Sequence, residues 1–148
     1  MAVALLDVNV LLALAWPQHA HHGAAHEWFA GQRPEGWATC ALTQAGFVRL
    51  SSQPGAVKTP VTVSEAIRNL DANVSVPEHE FWPLDYGIAA MLPEIRDRLM
   101  GPRQITDALL LDLAIRRGGK LATLDRRVEN LLAADSAHRG ALEVLLLE

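Results

Sequence analysis

Residues 104–133 read QITDALLLDLAIRRGGKLATLDRRVENLLA. Thr106 or Asp107 is a natural helix start, and apolar spacing then runs from Leu109 through Leu113 to Ile115. Arg116 and Arg117 fall in the last turn, where cations suit the helix dipole, and Gly118-Gly119 supply the stop. KLATL follows as a strand running out at Asp125, where a further helix is predicted to begin.

The same alternation extends back to the N-terminus. AVALLD, residues 2–7, is a short apolar run of the kind found in parallel strands buried on both faces. Helical spacing continues through Val10, Leu11 and Leu14 and stops at Pro17. This opening is not a targeting segment: it lacks a basic leader, carries Asp7 in its middle and is too short to span a bilayer. HHGAAHEWFAGQ is a helix, GWATCAL a strand, LTQAGFVRLSS a helix weakened by Gly46, and HEFWPLD a strand closed by Pro83. Thr62 followed by Glu65 makes a capping box at the start of another helix. Pro93 kinks or breaks GIAAMLPEIRDRLM, and LEVLLLE is a final strand. Alternating strands and helices with short connections predict one α/β domain over 1–148, a three-layer α/β/α sandwich around a parallel sheet. Strand order is not legible in such a pattern.

Half of the residues are apolar and a fifth are charged, as in an ordinary globular protein. The single cysteine, Cys40, excludes a disulfide framework and fits a reducing, cytoplasmic setting with no membrane partner. A net charge of −4 argues against a nucleic-acid partner. The basic residues are clumped, however, at Arg96, Arg98 and Arg103, at Arg116, Arg117 and Lys120, and at Arg126-Arg127.

The acids are the informative feature. Burying an ionised carboxylate without a partner is costly, and two strands, VALLD and KLATLD, each run out on an aspartate. In parallel sheets ligands bind beyond the carboxyl ends of the strands. Asp7 and Asp125 are therefore expected at one edge, and Asp107, at the start of the helix leading into KLATLD, at the same edge. Converging carboxylates raise one another's pKa unless cations compensate. Hard oxygen ligands suit Mg²⁺ or Mn²⁺, which can acidify a bound water and neutralise phosphate charge. Taken singly, Asp107 and Asp125 read equally well as helix caps.

LLDVNVLLAL, WATCALTQAGFVRL and ITDALLLDLAIRRGGKLATLDRR, in that order, resemble the PIN domain, in particular the VapC-type toxins of bacterial toxin–antitoxin pairs. The resemblance implies a Mg²⁺- or Mn²⁺-dependent endoribonuclease of the type II systems, with Asp7, Asp107 and Asp125 as the metal-binding acids. It further implies an RNA substrate, inhibition by a small antitoxin protein and homodimer formation. Asn9 and Thr123 match polar positions beside the site. Many PIN domains carry a glutamate where this chain has Gln44, so one charge is missing, and Asp112 is a candidate to compensate. It lies about 140° around the helix from Asp107.

Two alternatives accompany this reading. Gln44 makes an RNA-binding module without catalysis conceivable. A haloacid-dehalogenase-like phosphotransferase would use Asp7 as nucleophile but wants an aspartate two residues on, where Asn9 stands. His22 and His26 have the spacing of zinc ligands on a helix, yet Gly23 replaces the glutamate a zinc protease needs. Solvated histidines are the simpler reading. The four tryptophans read as core or interface residues.

Overall fold

The computed structural model describes residues 2–145. Five short strands, β1 (Ala4–Leu6), β2 (Trp37–Thr39), β3 (His79–Phe81), β4 (Lys120–Thr123) and β5 (Leu142–Val144), form one sheet. Their order is β3-β2-β1-β4-β5, and every pairing is parallel. Between them run α1 (Val8–Ala15), α2 (His22–Gln32), α3 (Ala41–Ser51), α4 (Val63–Val74), α5 (Pro93–Arg96) and α6 (Ile105–Arg116). The predicted three-layer α/β/α architecture is therefore present.

Alternation along the strands sorts the core into two layers. Leu5, Ala38 and Leu121 meet Ile95 of α5, Leu110, Leu111 and Leu113 of α6, and Val128 and Leu131. Ala4, Leu6, Trp37 and Ala122 meet Val10 and Leu11 of α1 and Phe47 of α3, with Phe29 and Leu70 packed around them. The central strands lie between two helical layers, which is why their sequences are continuous apolar runs. Cys40 is fully buried, as a small core hydrophobe. Among the described residues no helix is long and apolar enough to cross a membrane.

Local chemistry sets the ends of these elements. Thr62 caps α4 by accepting from the Glu65 N–H (3.1 Å), while its hydroxyl donates to the Glu65 carboxylate. Gly118 takes φ +67°, the left-handed conformation that ends α6. A Cβ on Gly119 would lie 2.5 Å from the Val3 carbonyl and 2.7 Å from the Trp82 ring, so the turn into β4 runs this close to the start of β1 only because the position is bare.

Several expectations need correction. Helix α6 starts at Ile105, after a 3₁₀ turn over Pro102–Gln104, so Asp107 lies inside the first turn and is not the cap. The helix expected at Asp125 is a 3₁₀ segment, Arg126–Leu131, with Asp125 as its cap. Pro93 divides its helix into a 3₁₀ turn, Ile88–Ala90, and the single turn of α5. The final strand is confined to Leu142–Val144, and residues 146–148 of LEVLLLE lie outside the described residues.

Candidate active site

Strand order places β1 beside β4, at the point where the chain stops adding strands on one side and begins on the other. In doubly wound sheets the crevice outside such a switch point is where ligands sit. Asp7 follows β1 there, Thr123 ends β4, and Asp125 follows it.

Asp7 is only 7% exposed. Its Oδ1 accepts from the Val8 N–H (2.7 Å), making it the N-cap of α1, and its Oδ2 accepts from the Thr123 hydroxyl (2.7 Å). Thr123 Oγ1 in turn accepts from the Asn9 amide (3.2 Å) and from the Asp125 N–H (3.1 Å). Asn9 closes the ring by accepting from the Leu124 N–H (3.1 Å). A buried network thus ties the end of β1 to the end of β4. Asp7 therefore has a structural partner that the sequence does not disclose.

Burial, only partly offset by these two bonds, holds the Asp7 carboxyl above the usual range, and the charge of Asp125 adds to the effect. Asp107, in the first turn of α6, is near enough to feel the charges of Asp7 and Asp125. Burial first, then the charges of those two acids, pushes its pKa up to about 6. Asp125 goes the other way, because Arg127 holds it below the ordinary carboxylate value. Nε and Nη2 of Arg127 fork onto its two oxygens (3.0 and 2.9 Å).

Asp125 thus acts on the protonation of Asp7, and both act on that of Asp107. Among the described residues, no three acidic, imidazole or thiol groups are drawn together tightly enough to enclose an ion. The donor chemistry suits a hard cation all the same: two carboxyls are destabilised by burial and mutual repulsion, and a positive charge would relieve both.

The other candidates fall elsewhere. Gln44 donates to Thr39 Oγ1 (2.9 Å), whose hydroxyl is shared with His79 Nε2 (2.8 Å), so its amide is turned to the end of β2. Asp112 does not join the cluster. It is 1% exposed, accepts from the Leu92 N–H (2.8 Å) and pairs with Arg116 (2.8 Å), pinning the 86–92 segment to α6. His22 and His26 donate to the Ala13 and Leu14 carbonyls (2.8 and 2.7 Å), satisfying the otherwise unpaired C-terminal end of α1. Trp37 and Trp82 are core residues, and Trp16 stacks on Phe47. An apolar cleft of about 350 Å³ opens between α1, α2, α3 and α4, with none of the three aspartates in its lining.

Parallel strands in the order 3-2-1-4-5, with aspartates at the switch point, define a doubly wound α/β protein with an acidic candidate site. The profile of the PIN domain family matches residues 4–132, and the chain belongs to that family. Within it, ribonuclease VapC39 of Mycobacterium tuberculosis is 44% identical over 142 residues, covering 96% of this chain and 99% of the relative. Ribonuclease VapC44 of the same organism is 45% identical over the same shares. A crystal structure of VapBC2 from Rickettsia felis, bound to a DNA fragment from their promoter, superposes with a TM-score of 0.58. It covers 97% of this chain and 98% of that one at 16% identity.

Proposed function

We propose that this chain is a ribonuclease of the VapC type, the toxin of a type II toxin–antitoxin pair, with a divalent-metal site at Asp7, Asp107 and Asp125. Relatives named as VapC ribonucleases, alike over nearly their whole length, support the class. The observation that carries the chemistry is the coupling of Asp7, Asp107 and Asp125 at the switch point, with Asp107 raised to about 6.

In this reading Asp7, Asp107 and Asp125 hold Mg²⁺ or Mn²⁺, which would acidify a water and offset phosphate charge. Thr123 and Asn9 fix the rotamer of Asp7, so that its carboxylate is preorganised. The basic residues near Asp125 set the RNA backbone in place. Hydrolysis by water leaves a 5′-phosphate and a 3′-hydroxyl. The antitoxin, the homodimer and the cytoplasmic setting complete the proposal on the strength of the family alone.

Inducible expression of the wild type and of Asp7→Asn in a bacterial host tests it. Growth arrest by the wild type only, with RNA fragments ending in 3′-hydroxyls, is expected. An equally toxic Asp7→Asn protein, or 2′,3′-cyclic phosphate ends, would reject the site or the chemistry. The placement of Gln44 on Thr39 keeps a second reading open, a module that binds RNA without cutting it. Tight RNA binding with no cleavage in either metal would favour it. The phosphotransferase reading loses ground, since Asn9 is committed to Thr123 and to the Leu124 N–H.

A further inference from the structure

Among the described residues, the two Arg–Asp pairs closer than 3 Å have different surroundings. In the Asp112–Arg116 pair the acid side chain is 2% exposed and the loop amide of Leu92 also depends on it. Removing either partner there would leave a buried group unsatisfied. In the Asp125–Arg127 pair the arginine side chain is 83% exposed. A pair of that kind contributes little to stability and is readily exchanged.

The two oxygens of Asp125 have separate duties. Oδ1 accepts from the Arg127 N–H (2.9 Å) and so caps the 3₁₀ segment that follows. Among the described residues Oδ2 is met only by the guanidinium of Arg127, at 2.9 and 3.3 Å, whose Nε also reaches Oδ1 (3.0 Å). The Asp125 backbone is anchored independently through its N–H on Thr123 Oγ1. The guanidinium can therefore leave without disturbing the cap or the strand end, and its departure uncovers one carboxylate oxygen beside Asp7 and Asp107. Arg127 itself feels the charge of Asp107 as well as that of Asp125.

We propose that the pairing of Arg127 with Asp125 is a resting position, that a divalent cation displaces the guanidinium from Oδ2, and that the freed fork then grips an RNA phosphate at the rim. The inference rests on the metal-site reading above. A guanidinium suits both partners because its parallel N–H groups match a carboxylate and a phosphate alike. Arg127 is on this account a competitor of the metal in the free protein and a substrate-positioning residue in the loaded one.

The test uses the full chain and its Arg127→Ala and Arg127→Lys variants, with folding checked by circular dichroism. Mn²⁺ binding without RNA is read by electron paramagnetic resonance. RNA binding is measured in saturating Mn²⁺ with a single-stranded phosphorothioate oligoribonucleotide, shown by gel to remain intact after each measurement. Without the competitor, Arg127→Ala should bind Mn²⁺ up to about fivefold more tightly. It should bind RNA several-fold more weakly, with the salt slope reduced by about 0.7, one phosphate contact on a single strand. Arg127→Lys should keep that slope but bind more weakly than wild type. Unchanged or weaker Mn²⁺ binding by Arg127→Ala, or an unchanged RNA affinity and slope, overturns the proposal while leaving the metal site standing. A wild type that takes up no Mn²⁺ overturns both.

Discussion

Thr123 is the smallest group on which the site depends. Its one hydroxyl donates to Asp7 and accepts from Asn9 and the Asp125 N–H. Thr123→Val keeps the shape and deletes all three bonds. Leaving buried Asp7 unsatisfied costs about 1–3 kcal/mol, a fall in Tm of roughly 3–10 °C, and Thr123→Ser should restore most of it in a thermal melt. Asp112→Asn should also destabilise the fold by about 1–3 kcal/mol through the loss of its buried charge–arginine pair. Its Mn²⁺ affinity should stay at the wild-type level, whereas a compensating ligand would lose affinity on the same change. Asp107 behaves differently, because its folded pKa of about 6 lies above its unfolded value of 3.8. It binds its proton more tightly when folded, so its contribution to stability is fully present below pH 3.8 and is lost as pH rises through about 6. Metal-free Asp107→Asn should thus gain stability over the wild type between pH 4.5 and 7.5. Denaturant unfolding at both pH values checks this, and a difference independent of pH would mean that Asp107 is not perturbed.

At the level of elements, α1 and α3 approach closely at Gly46. A Cβ there would lie 2.7 Å from a methyl of Val8, a stiff branched side chain. Gly46→Ala gains up to about 1 kcal/mol of helix propensity, but overpacking costs about 1–3 kcal/mol, so the net effect should be destabilising. Combining it with Val8→Ala should cost less than the two single changes together, which a double-mutant cycle measures. In sequence, Gly46 reads as a flaw in the helix. Its packing purpose depends on a residue that local pattern does not connect to it. Elements with period or punctuation were legible: the apolar runs of β1, β2 and β4, the capping box at Thr62, and the Gly118-Gly119 stop. The 3₁₀ segments were not, because Ile88–Ala90, Pro102–Gln104 and Arg126–Leu131 are too short to develop a period. That is why Asp107 was placed at a helix cap and lies a few residues inside it.

Across the whole molecule, the sandwich was readable from alternation alone, but strand order was not, since parallel crossovers leave no local trace. The same limit governed the site. Positions of Asp7, Asp107 and Asp125 followed from where strands and helices begin and end. The bond from Thr123 to Asp7 spans 116 positions, and no spacing rule announces it. For Asp112, a candidate to compensate for Gln44, helix geometry gave the angle from Asp107 but not the partners, Arg116 and the distant Leu92 N–H. Because β4 pairs with both β1 and β5, its loss strips central β1 of one neighbour and leaves β5 with no strand to join. Chains cut before Lys120 should show no cooperative unfolding by circular dichroism and no growth arrest on expression.

The distance in sequence between β1 and β4 also bears on synthesis. Asp7 is translated 116 positions before the hydroxyl that orients it. A nascent chain that has reached only α6 therefore carries the carboxyl without its partner, beside a strand whose neighbour does not yet exist. The site comes into being in a single late event, the docking of β4 against β1.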